Sequence, residues 1–367
     1  PRCGLPPRRN RVDSRRAMSR PGLLRSSLWW QHIVPPVLAG AYVATATGAL
    51  PPGELLARLP LFLVSIVGIA GFGYFLNDAC DIAADRAAGK PNAAAARGPL
   101  ARAGILLGLL VVGLAPWSLL PRNPVNLTLL ALQVAALTLY STRPVRLKER
   151  GLAGVLADTL YGHLLPVAIA LFTFFPRPLG SLGPARATIP LGPPGPIVVL
   201  LVFVILVLAC KGLRNILLHQ LGDRENDRRA GLRTFVLARG PVRTLDLINR
   251  FLLPVEAGAL AAVLVLLAPA APVWAGFAAF LAFTALMFSA WKFPYLPRRQ
   301  LRFKFLYFLN AFYEEWLPPT ALGIAVARHA ELWPLLPLHF ALFPRGLAKI
   351  PRNFAVLREN LANAADF

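Results

Sequence analysis

Nine separate stretches of this chain are apolar and close to 20 residues long, which leaves few folds open to it. They run approximately over 28–48, 56–77, 102–120, 125–142, 153–175, 197–219, 244–268, 272–292 and 303–327. A run of about 20 apolar residues matches the hydrocarbon thickness of a bilayer. Composition agrees, with 56% hydrophobic and only 15% charged residues, where soluble domains carry about 25% charged residues. Pro116, Pro121 and Pro124 blur the boundary between the third and fourth runs. The expected fold class is all-α: a polytopic membrane helix bundle of about nine transmembrane helices.

The net charge is +22, from 39 Lys and Arg against 17 Asp and Glu. A nucleic-acid binder can show such a balance, but here the basic residues sit between the apolar runs. On the nine-span layout, 27 of the 39 fall before the first span or in 86–102, 143–150, 224–243 and 292–304. These segments share one side. The four opposite loops hold only Arg58, Arg122, Arg177 and Arg186. Basic loops mark the cytoplasmic side. The expectation is a multi-pass protein of a bacterial plasma membrane with its N-terminus in the cytoplasm, surrounded by lipid and binding no nucleic acid. Five basic residues follow residue 327, which this layout leaves outside. That conflict points to a membrane-dipping segment at 332–344 or to a span count off by one.

Residues 1–27 are basic and lack the short apolar core and cleavage site of a signal peptide. They read as a disordered cytoplasmic arm, with Met18 a candidate start. Residues 28–327 form the membrane domain, and 328–367 an extension with no readable role. The Pro- and Gly-rich segment 176–196 reads as a spacer. Dividing the spans into 1–4 and 5–8 puts an aspartate motif just after the second span of each set. That suggests two four-helix pseudo-repeats plus one added helix. Gly68, Gly71 and Gly73 allow close helix contact beside the first motif. Cys3, Cys80 and Cys210 fit neither a disulfide nor a zinc pattern; the last two read as small buried apolar groups. Nothing in the sequence speaks to oligomeric state.

Carboxylates in membrane spans cost roughly 2.5–3.5 kcal/mol each on insertion scales. This acid-poor chain nevertheless gathers five aspartates at two span ends, in Asn77-Asp78-Ala79-Cys80-Asp81-Ile82-Ala83-Ala84-Asp85 and in Asp223-Arg224-Glu225-Asn226-Asp227. Asn77, Asp81 and Asp85 are four apart, so a helix places them along one face. A stripe of oxygen donors suits a hard cation such as Mg2+, which takes one or two carboxylates, waters and phosphate oxygens. In the second region Lys211, Asn215, His219, Asp223 and Asp227 are also four apart, although such a row drifts by about 40° per step. Asp223 and Asp227 are the candidates for a second metal position. Lys211 and Arg214 are candidates for phosphate or an acidic substrate group, or for a pair with Asp158. A single aspartate at either place would be only a helix cap.

Basic segments lie beside both motifs: Lys90 and Asn92 after the first, Arg143, Arg146 and Lys148 after the fourth span, and Arg228 after the second motif. A diphosphate carries about three negative charges, which carboxylates alone would repel; metal ions bridge acid to phosphate, and Lys or Arg take the remaining oxygens. Topology alone also explains basic loops, and Tyr140 is equally readable as an interfacial aromatic.

Taken together, Asn77–Asp85 resembles the NDxxDxxxD motif of the UbiA superfamily of intramembrane prenyltransferases. Asp223–Asp227 with Gly231 and Thr234 resembles its second motif, and Tyr140-Ser141 with Arg146-Leu147-Lys148 its basic loop after the fourth helix. The likeness covers roughly residues 25–327. Many members carry a further acid just before the second motif, where this chain has His219-Gln220. The resemblance implies transfer of an isoprenoid chain from a prenyl diphosphate to a small acceptor. It implies Mg2+ on Asn77, Asp81, Asp85, Asp223 and Asp227, and diphosphate on Lys90, Asn92, Arg143, Arg146, Lys148, Lys211 and Arg228. Asp78, Asp158, His219 and Tyr140 are the candidates to orient or deprotonate the acceptor, with Tyr161 and His163 behind them. The family's commonest acceptors are aromatic quinone precursors. The alternatives are the same fold acting on a sugar-phosphate or glycerol-phosphate lipid, a transporter, and a non-catalytic paralogue. A transporter predicts acids near the bilayer midplane, and these sit at span ends.

Overall fold

The computed structural model describes residues 22–87, 89–175, 196–229, 231–290, 306–349 and 351. The arm before residue 22, the bulk of the 176–196 spacer and the end after residue 351 lie outside the described residues. Among the described residues, nine helical runs coincide with the nine apolar stretches. They are α1 (Ser26–Ala46), α2 (Pro52–Ala87), α3 (Pro99–Ser118), α4 (Pro124–Ser141), α5 (Leu152–Phe174), α6 (Pro196–Arg229), α7 (Pro241–Leu267), α8 (Trp274–Ala290) and α9 (308–328). Helix is the form in which an apolar segment bonds all its own backbone groups, as hydrocarbon requires. Six of them, α2 to α7, are long and apolar enough to cross a membrane. Helix α8 is apolar but has 17 residues, and α1 and α9 carry Gln31 and His32, and Glu314 and Glu315.

The prolines between the third and fourth runs fall at helix ends. Pro116 sits in the tightened last turn of α3, Ala115–Ser118. Pro124 opens α4, where its missing N–H would be unpaired in any case, and the Asn123 side chain accepts the Asn126 N–H at 2.8 Å.

Helices α2 and α6 are the longest, at 36 and 34 residues. About 20 residues span the hydrocarbon, so each has enough length to overhang it by several turns, and the aspartate motifs ride on these overhangs. Each also packs along the helix that follows it, α2 on α3 and α6 on α7, which is the structural counterpart of the suspected repeat. The α2–α3 contact is close because Gly68 meets Gly113 backbone to backbone. Helix α1 packs against α2, α5 and α9, burying Val34, Leu38, Ala41 and Tyr42. A wide π-turn interrupts α5 at Leu160–Leu164, α7 at Ile248–Leu252 and α9 at Phe312–Trp316; such turns re-aim side chains and often mark function.

The C-terminal extension folds back along α1, in line with the membrane-dipping alternative for 332–344. Arg328, at the end of α9, donates to the Ala46 carbonyl at the end of α1. The chain then turns back through α10 (Leu335–Leu342). His339 meets Tyr42, Trp30 Nε1 donates to the Leu342 carbonyl at 2.8 Å, and Arg345 reaches His32 near the start of α1. From Ala46 to His32 is about 21 Å at 1.5 Å per helical residue. Among the described basic residues of the tail, Arg345 and Lys349 therefore return toward the end of the bundle where α1 begins, and Arg328 stays at the other end. Arg25, near the end of the stretch expected as an arm, pairs with Asp78.

Candidate active site

The overhang of α2 presents its acids on two faces. On one, Asn77 Oδ1 accepts from Lys148 Nζ at 2.7 Å, and Asp81 takes Lys148 Nζ at 2.5 Å and Arg146 Nη2 at 2.8 Å. One turn on, Asp85 Oδ2 accepts from Asn92 Nδ2 at 2.7 Å. On the other face Asp78 is 1% exposed. Its carboxylate accepts the Ala93 N–H at 3.0 Å and pairs with Arg25 Nε at 3.0 Å. Asp78 thus fastens the loop after the motif to the start of α1. The Asn92 amide that holds Asp85 also donates to the Asp78 carbonyl at 2.8 Å, so Asp78, expected as a catalytic residue, is engaged here by the loop and by Arg25.

Arg146 has positive φ, at 41°, which turns its side chain back toward α2. It also binds Glu149 Oε1 at 2.5 Å and the Cys80 carbonyl at 3.4 Å. Burial opposes the charge on this guanidinium, but Glu149 and Asp81 outweigh burial and hold its pKa above the usual value.

The overhang of α6 carries the second motif. Asp223 lies 3.7 Å from His219 Nε2, and Asp227 lies within charge range of His219 and Lys90. Gly231 then takes φ 67°, closing the helix as the Leu232 N–H bonds the Asp227 carbonyl at 3.0 Å. Three residues later Thr234 forms a parallel bridge with Gly151, through the Gly151 N–H and the Arg233 carbonyl at 3.1 Å. One loop, 142–151, therefore holds the first motif through Arg146 and Lys148 and the segment after the second motif through Gly151. Both motifs lie at one end of the bundle and are tied together.

Below them Tyr161 donates to Asp158 Oδ1 at 2.7 Å, and its ring meets Tyr140 edge-on at 5.0 Å. Tyr74, Tyr140 and His219 all lie within charge range of Asp158. Tyr74 and Tyr161 open onto an apolar cavity of about 90 Å³ that runs past Ile69, Leu137 and Phe62 to Trp117. Two expected acceptor-handling residues, Tyr140 and Asp158, thus meet through Tyr161, while His219 stands exposed beside Asp223.

Two expected phosphate ligands are not. Lys211 lies twelve residues before Asp223, about 18 Å deeper along the helix, and is 2% exposed. The drift of the four-residue row sends its lower members elsewhere, as Asn215 bonds Asn310 at 3.0 Å. Arg228 faces outward and pairs with Glu225 at 3.0 Å. Arg143 is exposed on the loop. Arg214 is not paired with Asp158; it is paired with Glu256 at 2.7 Å. Tyr74 and Arg25 were missed from sequence. Tyr74 sits one turn before Asn77 and Asp78, so a search along the same helix finds it, whereas Arg25 looks like any other topology-setting cation.

Among the described residues no three acid, His or Cys side chains gather tightly enough to hold an ion by themselves. Asn77, Asp81 and Asp85 are hard oxygen donors suited to Mg2+, but Arg146 and Lys148 already neutralise Asp81. Such a donor set fits an ion that arrives together with a phosphate, which takes over the two cations.

The sequence profile of the UbiA prenyltransferase family matches residues 33–312, and the chain belongs to that family. It is a multi-pass membrane protein and a prenyltransferase. Among solved structures it is similar to a UbiA homolog from Archaeoglobus fulgidus bound to GPP and Mg2+, at 17% identity and a TM-score of 0.50, over 82% of this chain and 98% of that one. The same homolog bound to DMAPP and Mg2+ aligns over the same shares at 16% identity and a TM-score of 0.49. At such identity the likeness to the GPP-bound structure bears on the fold. No curated protein matches the chain in sequence.

Proposed function

We propose that the chain transfers an isoprenoid from a prenyl diphosphate to a small aromatic acceptor of the quinone-precursor type, at the bundle end that carries both motifs. One observation carries this reading: Lys148 bridges Asn77 and Asp81 while Arg146 binds the same Asp81. Cations and acids interleaved on one face are what a metal-bound diphosphate needs, and the related archaeal structure holds GPP and Mg2+. In this reading Asn77, Asp81 and Asp85, with Asp223 and Asp227, would hold Mg2+, which would supply positive charge toward the diphosphate. Lys148, Arg146 and Lys90 swing from the acids to the phosphate oxygens. Asn92 steadies Asp85.

The isoprenoid tail lies in the cavity between Tyr74 and Trp117, where apolar walls exclude water from the allylic cation. The allylic C–O bond breaks, with its electron pair leaving on diphosphate. The acceptor carbon forms the new bond and releases its proton to Asp158, which Tyr161 holds in place; Tyr140 and His219 orient the ring. The motif end faces the cytoplasm in this reading, because the nine-span layout assigns 27 of the 39 basic residues to that side.

The test is prenyl transfer by purified protein from labelled diphosphates of several lengths to a panel of hydroxylated aromatic acids. Turnover should vanish in EDTA and return with Mg2+. Asp81→Ala and Asp223→Ala should each lower it by at least about a hundredfold with the thermal midpoint nearly unchanged. Chelator-resistant turnover would refute the metal role, and transfer only to sugar- or glycerol-phosphate lipids would refute the acceptor class.

A further inference from the structure

A second cavity, of about 180 Å³, lies between α1, α5, α6, α7 and α9. Helices α1 and α5 separate it from the cavity beneath Tyr74, and the two share no lining residue. Its walls are aliphatic, among them Val43, Leu171, Val204 and Leu264, and its polar contributors are Lys211 and Tyr313. The Lys211 ammonium sits 5.3 Å from the Tyr313 ring centroid, and the π-turn of α9 carries that ring.

The acids around Lys211 are already paired with other cations, which leaves its charge in surplus. Two acids lie within charge range of it, Glu256 and Glu314. Glu256 is taken by Arg214 through two bonds, at 2.7 and 2.8 Å. Glu314 is taken by His32 at 2.8 Å and by Arg345 at 3.9 Å. The neighbouring Glu315 is held by Lys349 and Arg345. Lys211 forms no hydrogen bond or ion pair with any described residue. It is 2% exposed. A buried ammonium without an anion is costly, and three donors aimed into an apolar cavity are unusual unless something accepts them.

We infer that this cavity binds a single-chain amphiphile with one negative charge, its carboxylate on Lys211 Nζ and its hydrocarbon along α1, α6 and α7. One surplus cation matches a monoanion, whereas a diphosphate with about three charges would keep two of them uncompensated in apolar surroundings. A carboxylate has two oxygens to satisfy, which the three ammonium donors can cover. This site is separate from the one assigned to the prenyl diphosphate.

The experiment is equilibrium binding of radiolabelled oleate to the purified full chain in a non-ionic detergent, with methyl oleate and an anionic two-chain phospholipid as competitors. Oleate should bind and raise the thermal midpoint of the wild-type protein, and methyl oleate should compete roughly tenfold to a hundredfold more weakly. Lys211→Met, which replaces the ammonium with an apolar chain of similar length, should lose oleate affinity by a like factor and gain no midpoint shift from it. Equal affinity for oleate and methyl oleate would overturn the proposal even if the variant failed to fold. So would undiminished oleate binding by Lys211→Met, or displacement of oleate by the phospholipid at lower concentration than oleate itself.

Discussion

Arg214 is 0% exposed, and every direction its guanidinium faces is answered. Glu256 takes two of its N–H groups, the Leu306 carbonyl a third at 2.5 Å and Asn310 Oδ1 a fourth at 2.8 Å. Removing one partner of a buried pair leaves an uncompensated charge, at a cost of about 3–5 kcal/mol. Glu256→Leu should therefore lower stability by that amount, read as denaturant or thermal unfolding in micelles. Arg214→Leu combined with Glu256→Leu should recover most of the loss, since replacing the whole pair by apolar groups is often near neutral. Additive losses in the double variant would contradict this. The sequence shows that Arg214 and Lys211 are cations inside a span, and that such residues need a reason. It does not show which reason, because Glu256 lies 42 residues further on and meets Arg214 only once α6 and α7 pack. Asp81 is the opposite case: its four-residue spacing from Asn77 and Asp85 is local, so its face was legible before any packing was known.

Helices depend on one another through a few points of close approach. A Cβ at Gly68 would collide with the backbone of Gly113, and one at Gly73 would press into Leu137. Gly68, Gly71 and Gly73 were readable as packing glycines from their grouping in an apolar span. Gly113, the partner of Gly68, was not, since a lone glycine in α3 looks the same as Gly104 or Gly108, which face open space. Overpacking of this kind costs about 1–3 kcal/mol, because backbone cannot move aside as a side-chain tip can. Gly68→Ala should lower the thermal midpoint and also reduce prenyl transfer, since pushing α2 off α3 moves the overhang that carries Asn77 and Asp81. Gly104→Ala should leave both measurements unchanged or slightly raise stability, as an exposed helical glycine costs roughly 0.5–1 kcal/mol relative to alanine. A midpoint loss in Gly104→Ala equal to that in Gly68→Ala would point to a general helix effect instead of contact at one place.

Across the whole molecule, two motifs 146 positions apart, counted from Asn77 to Asp223, work as one site only if the loops hold their overhangs in register. The sequence could suggest two equivalent four-helix sets and hence two motifs at one end. It could not show the fastening, which runs through backbone atoms: the Gly151 N–H on the Arg233 carbonyl. Gly151 has φ 51° and ψ −111°, a conformation open to glycine and costly for other residues, at about 1–3 kcal/mol. Gly151→Val should break the tie or strain it. The loop 142–151 would still reach Asp81 through Arg146 and Lys148, but it would no longer be held at a fixed distance from Asp227 and Lys90. On the proposed function Lys148 and Arg146 meet diphosphate before and during its departure, so loosening them should weaken ground state and transition state alike. Uniform weakening appears in KM with kcat preserved. Steady-state assays of Gly151→Val should accordingly give a KM for prenyl diphosphate raised roughly tenfold, about 1.4 kcal/mol, and a kcat within about threefold of wild type, with a midpoint lowered by the strain. A fall in kcat at constant KM would mean that the loop acts mainly on the departing charge, and unchanged kinetics would mean that the two overhangs hold their register without it.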